Sequence, residues 1–179
     1  MKPRSLMFLL TVISAVLSAS MFIIPFLSPN GSFIDLDGTP GIMDHWDIWS
    51  GKDIITMLLY SFGDLACHQQ MSRTVILNGS EMPICIRDLG LLMGFVIGCV
   101  LTAIRFNDPA INRNARAYIV IAFILIFTDW TIQHAFDLNG PITRLITGLL
   151  AGAGFSLIIY CWVITIFYGD DGKDITGKG

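Results

Sequence analysis

Residues Cys67–Gly98 read CHQQMSRTVILNGSEMPICIRDLGLLMGFVIG, a polar, cysteine-bearing stretch that runs straight into an apolar segment. Arg87 and Asp88 stand at the junction, and from Leu89 to Ile104 the chain carries no further charge. Arg87, Gly90, Gly94 and Gly98 recur at steps of three or four, so on a helix they share one stripe. Glycines spaced by four strip that face of side chains and let another backbone approach closely. The stretch therefore predicts a membrane helix with a seam for a second helix and a charged mouth at one end.

Composition agrees with a chain built for lipid. Of 179 residues, 54% are hydrophobic and only 14% charged, and the mean hydropathy is +0.67, well outside the range of soluble globular domains. The expected fold class is an all-α membrane protein: a bundle of four transmembrane helices plus a short re-entrant or tilted fifth helical segment. The predicted spans are 6–27, 84–104, 117–136 and 142–168, each long enough to cross a hydrocarbon core of about 30 Å at roughly 1.5 Å per residue. The segment 54–66 is apolar but short and contains Asp64, so it is expected not to cross. One domain, 1–168, is followed by a mobile polar tail over 169–179. Small residues at Ser18–Ser20 are followed by a continuing apolar run, which reads as an uncleaved first helix.

The connecting segments set the orientation. Acids crowd between Asp35 and Asp53, whereas Lys2, Arg4, Arg105, Arg113 and Arg116 form two basic groups. The positive-inside rule puts both basic groups in the cytoplasm, which needs an even number of spans between them. This predicts a multi-pass protein of the cell membrane with both termini cytoplasmic. Residues 28–53 read as a loop whose Trp46 and Trp49 are interfacial anchors, residues 67–83 as a second loop and residues 105–116 as a basic loop. Asn139-Gly140-Pro141 reads as a tight turn. Asn30-Gly31-Ser32 and Asn78-Gly79-Ser80 match the glycosylation pattern.

Polar residues converge at the other end. Arg87 and Asp88 sit in the first turn of one helix, Asp129 and Gln133 in the last third of the next, and Arg144 in the first turn of the last, all at similar depth. Arg144, Gly148 and Gly152 repeat the seam pattern of Arg87 and its glycines. Ionisable residues at membrane depth cost several kcal/mol unless paired and are functional candidates by default. The ligand-binding candidates are Arg73, Arg87, Asp88, Asp129, Gln133 and Arg144; an ion-pair set that only fixes helix register is the bland alternative. Cys67, His68, Cys85 and Asp88 are metal candidates, although their spacing is not that of paired C-x-x-C. A Cys67–Cys85 disulfide is a second reading, and free or redox-active thiols a third. Cys99 and Cys161 read as small hydrophobes; His45 and His134 read as interfacial side chains rather than ligands.

Taken together, Cys67-His68-Gln69, Arg73, Pro83-x-Cys85-x-Arg87, Gly90, Gly94, Asp129 with Gln133, and Arg144 with Thr147-Gly148 resemble the prokaryotic membrane-protein family called domain of unknown function 2085. The resemblance covers roughly residues 62–154. That family usually carries a cysteine where this chain has Asp88, and a glycine where it has Trp130. The first departure removes a soft ligand, while aspartate suits harder ions. The resemblance implies that the polar positions reached by depth and phase are characteristic of the family, and it assigns no activity.

Three functions compete on this reading. The first is an outward-facing polar site that holds a divalent metal ion, or an anionic lipid headgroup or small molecule. The second is a membrane thiol oxidoreductase, weakened by the lack of a C-x-x-C relay. The third is a structural or assembly subunit that meets a membrane-protein partner through the glycine seams. The lipid bilayer is the expected environment and nucleic acid is not an expected partner. The sequence contains no Walker loop, nucleophile elbow or His-Glu-x-x-His motif.

Overall fold

The computed structural model describes residues 2–39, 41–67, 71–106, 108–136 and 140–168, without the side chains of Pro109, Asn112, Gln133, His134 and Phe136. The predicted tail at 169–179, His68, the Asn139 end of the turn and the side chain of Gln133 therefore lie outside the described residues.

Among the described residues, four helices are long and apolar enough to cross a membrane: α1 (Pro3–Leu27), α4 (Ile86–Ile104), α5 (Pro109–Phe136) and α6 (Pro141–Tyr168). Between the first two lie α2 (Trp46–Trp49) and α3 (Ile54–Ala66), then a 3-10 turn (Met71–Arg73) and an antiparallel hairpin of β1 (Thr74–Leu77) and β2 (Ser80–Cys85). At 13 residues, α3 is about 20 Å long and falls short of a hydrocarbon core. It packs beside β2, α2 and the end of α1.

The bundle is built around the pair α4 and α6, with α1 against α4 and α5 against α6. Both glycine seams are spent on that pair. A Cβ at Gly90 would lie 3.1 Å from the Leu149 nitrogen, one at Gly94 2.7 Å from Leu149 backbone carbons, and one at Gly152 2.9 Å from the Leu91 carbonyl carbon. The partner that approaches these seams is thus the chain's own helix. Below the seams, Met7, Cys99, Ala103, Tyr160 and Val163 form one apolar cluster, and the Arg4 Nε donates to the Ala103 carbonyl at 3.0 Å.

Two loops proved to be structured. The expected basic loop at 105–116 is mostly helix, since α5 begins at Pro109 and its first turn is capped by Asp108, which accepts from the Ala110 nitrogen at 2.9 Å. Proline at the first helical position forfeits a hydrogen bond that the helix does not make there. The expected loop at 67–83 contains the hairpin instead. Its two-residue turn, Asn78-Gly79, has φ of 51° and 67°, the geometry of the tight turns that match strand twist. The Asn78 amide nitrogen donates to the carbonyls of Pro25 at 3.0 Å and Ser28 at 3.1 Å, closing the frayed end of α1. That nitrogen is engaged in the fold, which argues against its use as a glycan acceptor.

The hairpin and the first loop form a cap over one end of the bundle. The Glu81 nitrogen donates to the Phe33 carbonyl at 2.7 Å, the Glu81 carbonyl accepts from the Tyr60 hydroxyl at 2.8 Å, and its carboxylate accepts from the Leu36 nitrogen at 3.3 Å. Ile24, Phe33, Leu36, Trp49 and Tyr60 fill the interior of the cap. Trp49 is completely buried, stacked on Tyr60 with centroids 4.9 Å apart, and so is a core residue rather than the interfacial anchor its position suggested. Trp46 remains exposed.

Candidate functional site

The cap sits at the end of the bundle where α4 and α6 begin and α5 ends. Here the Arg87 guanidinium lies 3.4 Å from an Asp129 carboxylate oxygen, and the same oxygen accepts from the Thr147 hydroxyl at 3.1 Å. Thr147 is one turn beyond Arg144 on α6, so this oxygen joins α4, α5 and α6. Sequence reading reached Arg87, Asp129 and Arg144 by depth, but passed over Thr147 as a ligand; its position three residues after Arg144 was the available signal.

Arg144 is buried in the first turns of α6. A small, partly open cleft of about 40 Å³ lies beside it, lined by Ser72, Arg73, Thr74, Ile86, Pro141 and Arg144. Ile86 and Pro141 are the first residues of α4 and α6. Two long helices therefore point their amino ends at the cleft, each equivalent to about half a positive charge, while two guanidinium side chains line the same space.

A second cluster adjoins it. Cys67 ends α3, Cys85 precedes α4, and Asp88 is in the first turn of α4. One sulfur from each cysteine and one Asp88 oxygen all lie within 4.8 Å of one another. The Cys85 thiol donates to the Asp88 carboxylate at 3.0 Å. Both cysteines are free thiols in the structure, which does not form the disulfide held open above; a bridge would draw Cys85 off the carboxylate that it meets. The hydrogen bond between the two thiols, followed by burial, pushes the Cys67 thiol up, and the same bond lowers Cys85.

A third arrangement was not foreseen. Asp64, fully buried in α3, accepts from the His45 nitrogen at 3.0 Å, the His45 Nδ1 at 3.1 Å and the Trp49 indole at 3.1 Å. The acid that made 54–66 look unsuited to lipid is the hub of the cap, and His45 is held by it rather than lying at an interface. Glu81 is equally buried, and burial pushes its carboxyl above the usual range. Hydropathy does not show what either acid is for, because their partners lie 15 or more residues away in sequence.

These features define a small helical membrane protein with a folded polar cap and a cationic cleft where the cap meets the bundle. The chain belongs to the family described as predicted membrane protein (DUF2085), whose pattern matches residues 67–158, from the first cysteine of the cluster well into α6. It is also 30% identical over 116 residues to an uncharacterised protein of Methanocaldococcus jannaschii, covering 64% of this chain and 71% of that one. No solved structure matches it.

Proposed function

We propose that the protein binds an anionic group, the phosphate of a lipid headgroup or a small free anion, in the cleft between Arg73 and Arg144 at the outer face of the cell membrane. The observation that supports this best is the convergence of two guanidinium groups and two helix amino ends on one space. Guanidinium forks match the geometry of phosphate and carboxylate oxygens, and helix amino ends favour negative charge. Ser72 and Thr74 line the same cleft and bring hydroxyl groups to it. Asp129 is held by Arg87 and Thr147, so it fixes the back wall and does not fill the cleft. Arg4 and Arg105 lie at the opposite end of α4, and the positive-inside rule then turns the cap outward and both termini to the cytoplasm.

The test uses two probes on detergent-purified protein. Native mass spectrometry reads retention of phosphatidylglycerol against phosphatidylcholine, and thermal stability is followed during titration with inorganic phosphate. Either anion should bind the wild type, and Arg73→Ala, on the exposed rim, should weaken it about tenfold, the effect of one charge-assisted hydrogen bond. Retention of the lipid alone identifies a headgroup site, and response to phosphate alone a small-anion site. Equal behaviour of wild type and Arg73→Ala toward both probes overturns the proposal.

A further inference from the structure

We propose that Cys67, Cys85 and Asp88 form a binding site for one divalent cation of zinc-like character, next to the arginine cleft and independent of what the cleft binds. Three separate pieces of structure deliver the donors: the end of α3, the residue before α4 and the first turn of α4. Their ligand atoms already lie within 4.8 Å of one another. In a tetrahedral zinc site with metal–sulfur bonds of about 2.3 Å the sulfurs stand roughly 3.8 Å apart, so convergence on an ion needs side-chain movements on the order of 1 Å. Cys67 is buried and Cys85 and Asp88 are partly so, which limits competition from water.

The chemistry of the donors selects the ion. Two thiols and one carboxylate suit a borderline-soft metal, whereas calcium and magnesium demand six or more oxygens or ordered waters. Binding replaces the two S–H bonds with metal–sulfur bonds and releases two protons, with no change of oxidation state. Two thiolates and a carboxylate leave the bound site with one net negative charge. Among the described residues three donors meet, and a tetrahedral ion takes a fourth ligand beyond them. Asp88 is then a hard donor in a soft set, and Asp88→Cys should convert the site to three thiolates.

The experiment measures metal content in protein purified without chelators, followed by cobalt(II) substitution. The wild type should hold close to one zinc per chain. Its cobalt form should show a sulfur-to-cobalt charge-transfer band and the intense visible absorption of tetrahedral geometry. Cys67→Ser and Cys85→Ser should each weaken that charge-transfer band by about half or abolish binding, whereas Asp88→Cys should strengthen it, a gain that misfolding cannot imitate. Arg73→Ala should leave metal content unchanged, so failure of the anion proposal does not disturb this one. Wild-type protein with both thiols open to alkylation but no uptake of zinc or cobalt would overturn the site. A Cys67–Cys85 disulfide in protein isolated with thiols protected from oxidation overturns it as well.

Discussion

Adding a single methyl group at Gly94 tests the arrangement that places both arginines at one cleft. A Cβ there falls 2.7 Å from two backbone carbons of Leu149 and closer still to its carbonyl oxygen, roughly 1 Å inside optimal carbon–carbon separation. The obstruction is backbone, which no side-chain rotation can clear, so α4 and α6 must part. Overpacking of this kind costs about 1–3 kcal/mol, and here the upper end applies; the better helix propensity of alanine returns about 1 kcal/mol. Gly94→Ala should therefore lose about 2 kcal/mol, close to a thirtyfold shift toward the unfolded state. Gly154→Ala is the internal control, since its Cβ meets only the Ala122 methyl at 3.2 Å, and it should change stability by less than about 1 kcal/mol. Reversible unfolding in mixed detergent micelles, read by tryptophan fluorescence, supplies the numbers. Gly94 and Gly152 act on the same gap, so the double alanine variant should cost less than the sum of the singles. A Gly94→Ala protein as stable as the wild type, or strict additivity with Gly152→Ala, would refute backbone contact along this seam.

Three further outcomes concern the cap. Asp64→Ala strands the His45 nitrogen, His45 Nδ1 and Trp49 indole as unsatisfied donors, a cost of about 3 kcal/mol or more; cleavage within 41–52 should accelerate under limited proteolysis, and unchanged protection would count against the hub. Asn78→Ala should destabilise by about 2 kcal/mol and Asn78→Gly by about 1, because glycine keeps the turn and loses only the side-chain contacts to Pro25, Ser28 and Asn30; equal losses would mean the turn geometry of Asn78 carries none of the cost. Glu81, whose carboxyl is raised by burial, favours the neutral form when folded. Its contribution is therefore fully present below the unfolded value of about 4.3 and is lost as pH rises through the higher folded value. Glu81→Gln should flatten that fall and gain relative stability at neutral pH, and a pH–stability curve parallel to the wild type would exclude it as the titrating group.

What could be read from the chain and what could not divide along a physical line. Long apolar runs are one-dimensional signals, and the helices lie close to 6–27, 84–104 and 142–168, whereas the helix expected over 117–136 starts earlier, at Pro109, with its apolar window over Arg113–Ile132. Depth is also nearly one-dimensional once spans are known, so Arg87, Asp129 and Arg144 could be placed near one another before any coordinates. Glycine periodicity announced two seams but not that they close on each other, because phase says which face is bare and not what covers it. Arg113 and Arg116 read as loop residues from their charge and the preceding Asn-Asp-Pro turn signal, although a helix can extend charged turns beyond the hydrocarbon without cost to its hydrogen bonds. In the cap, where lipid no longer dictates the pattern, hydropathy loses its power. Asn78-Gly79 carries a hairpin-turn signal, yet residues 67–83 read as a loop and the triplet as a glycosylation pattern. Asp64 looked like a defect because its three donors come from residues 45 and 49. The consequence reaches function: the cap carries Arg73 and Cys67, while the bundle carries Arg87, Asp88, Asp129 and Arg144. Both proposed sites straddle that junction, so perturbing the Asp64 hub should loosen anion and metal binding together, whereas Arg73→Ala should touch only the first.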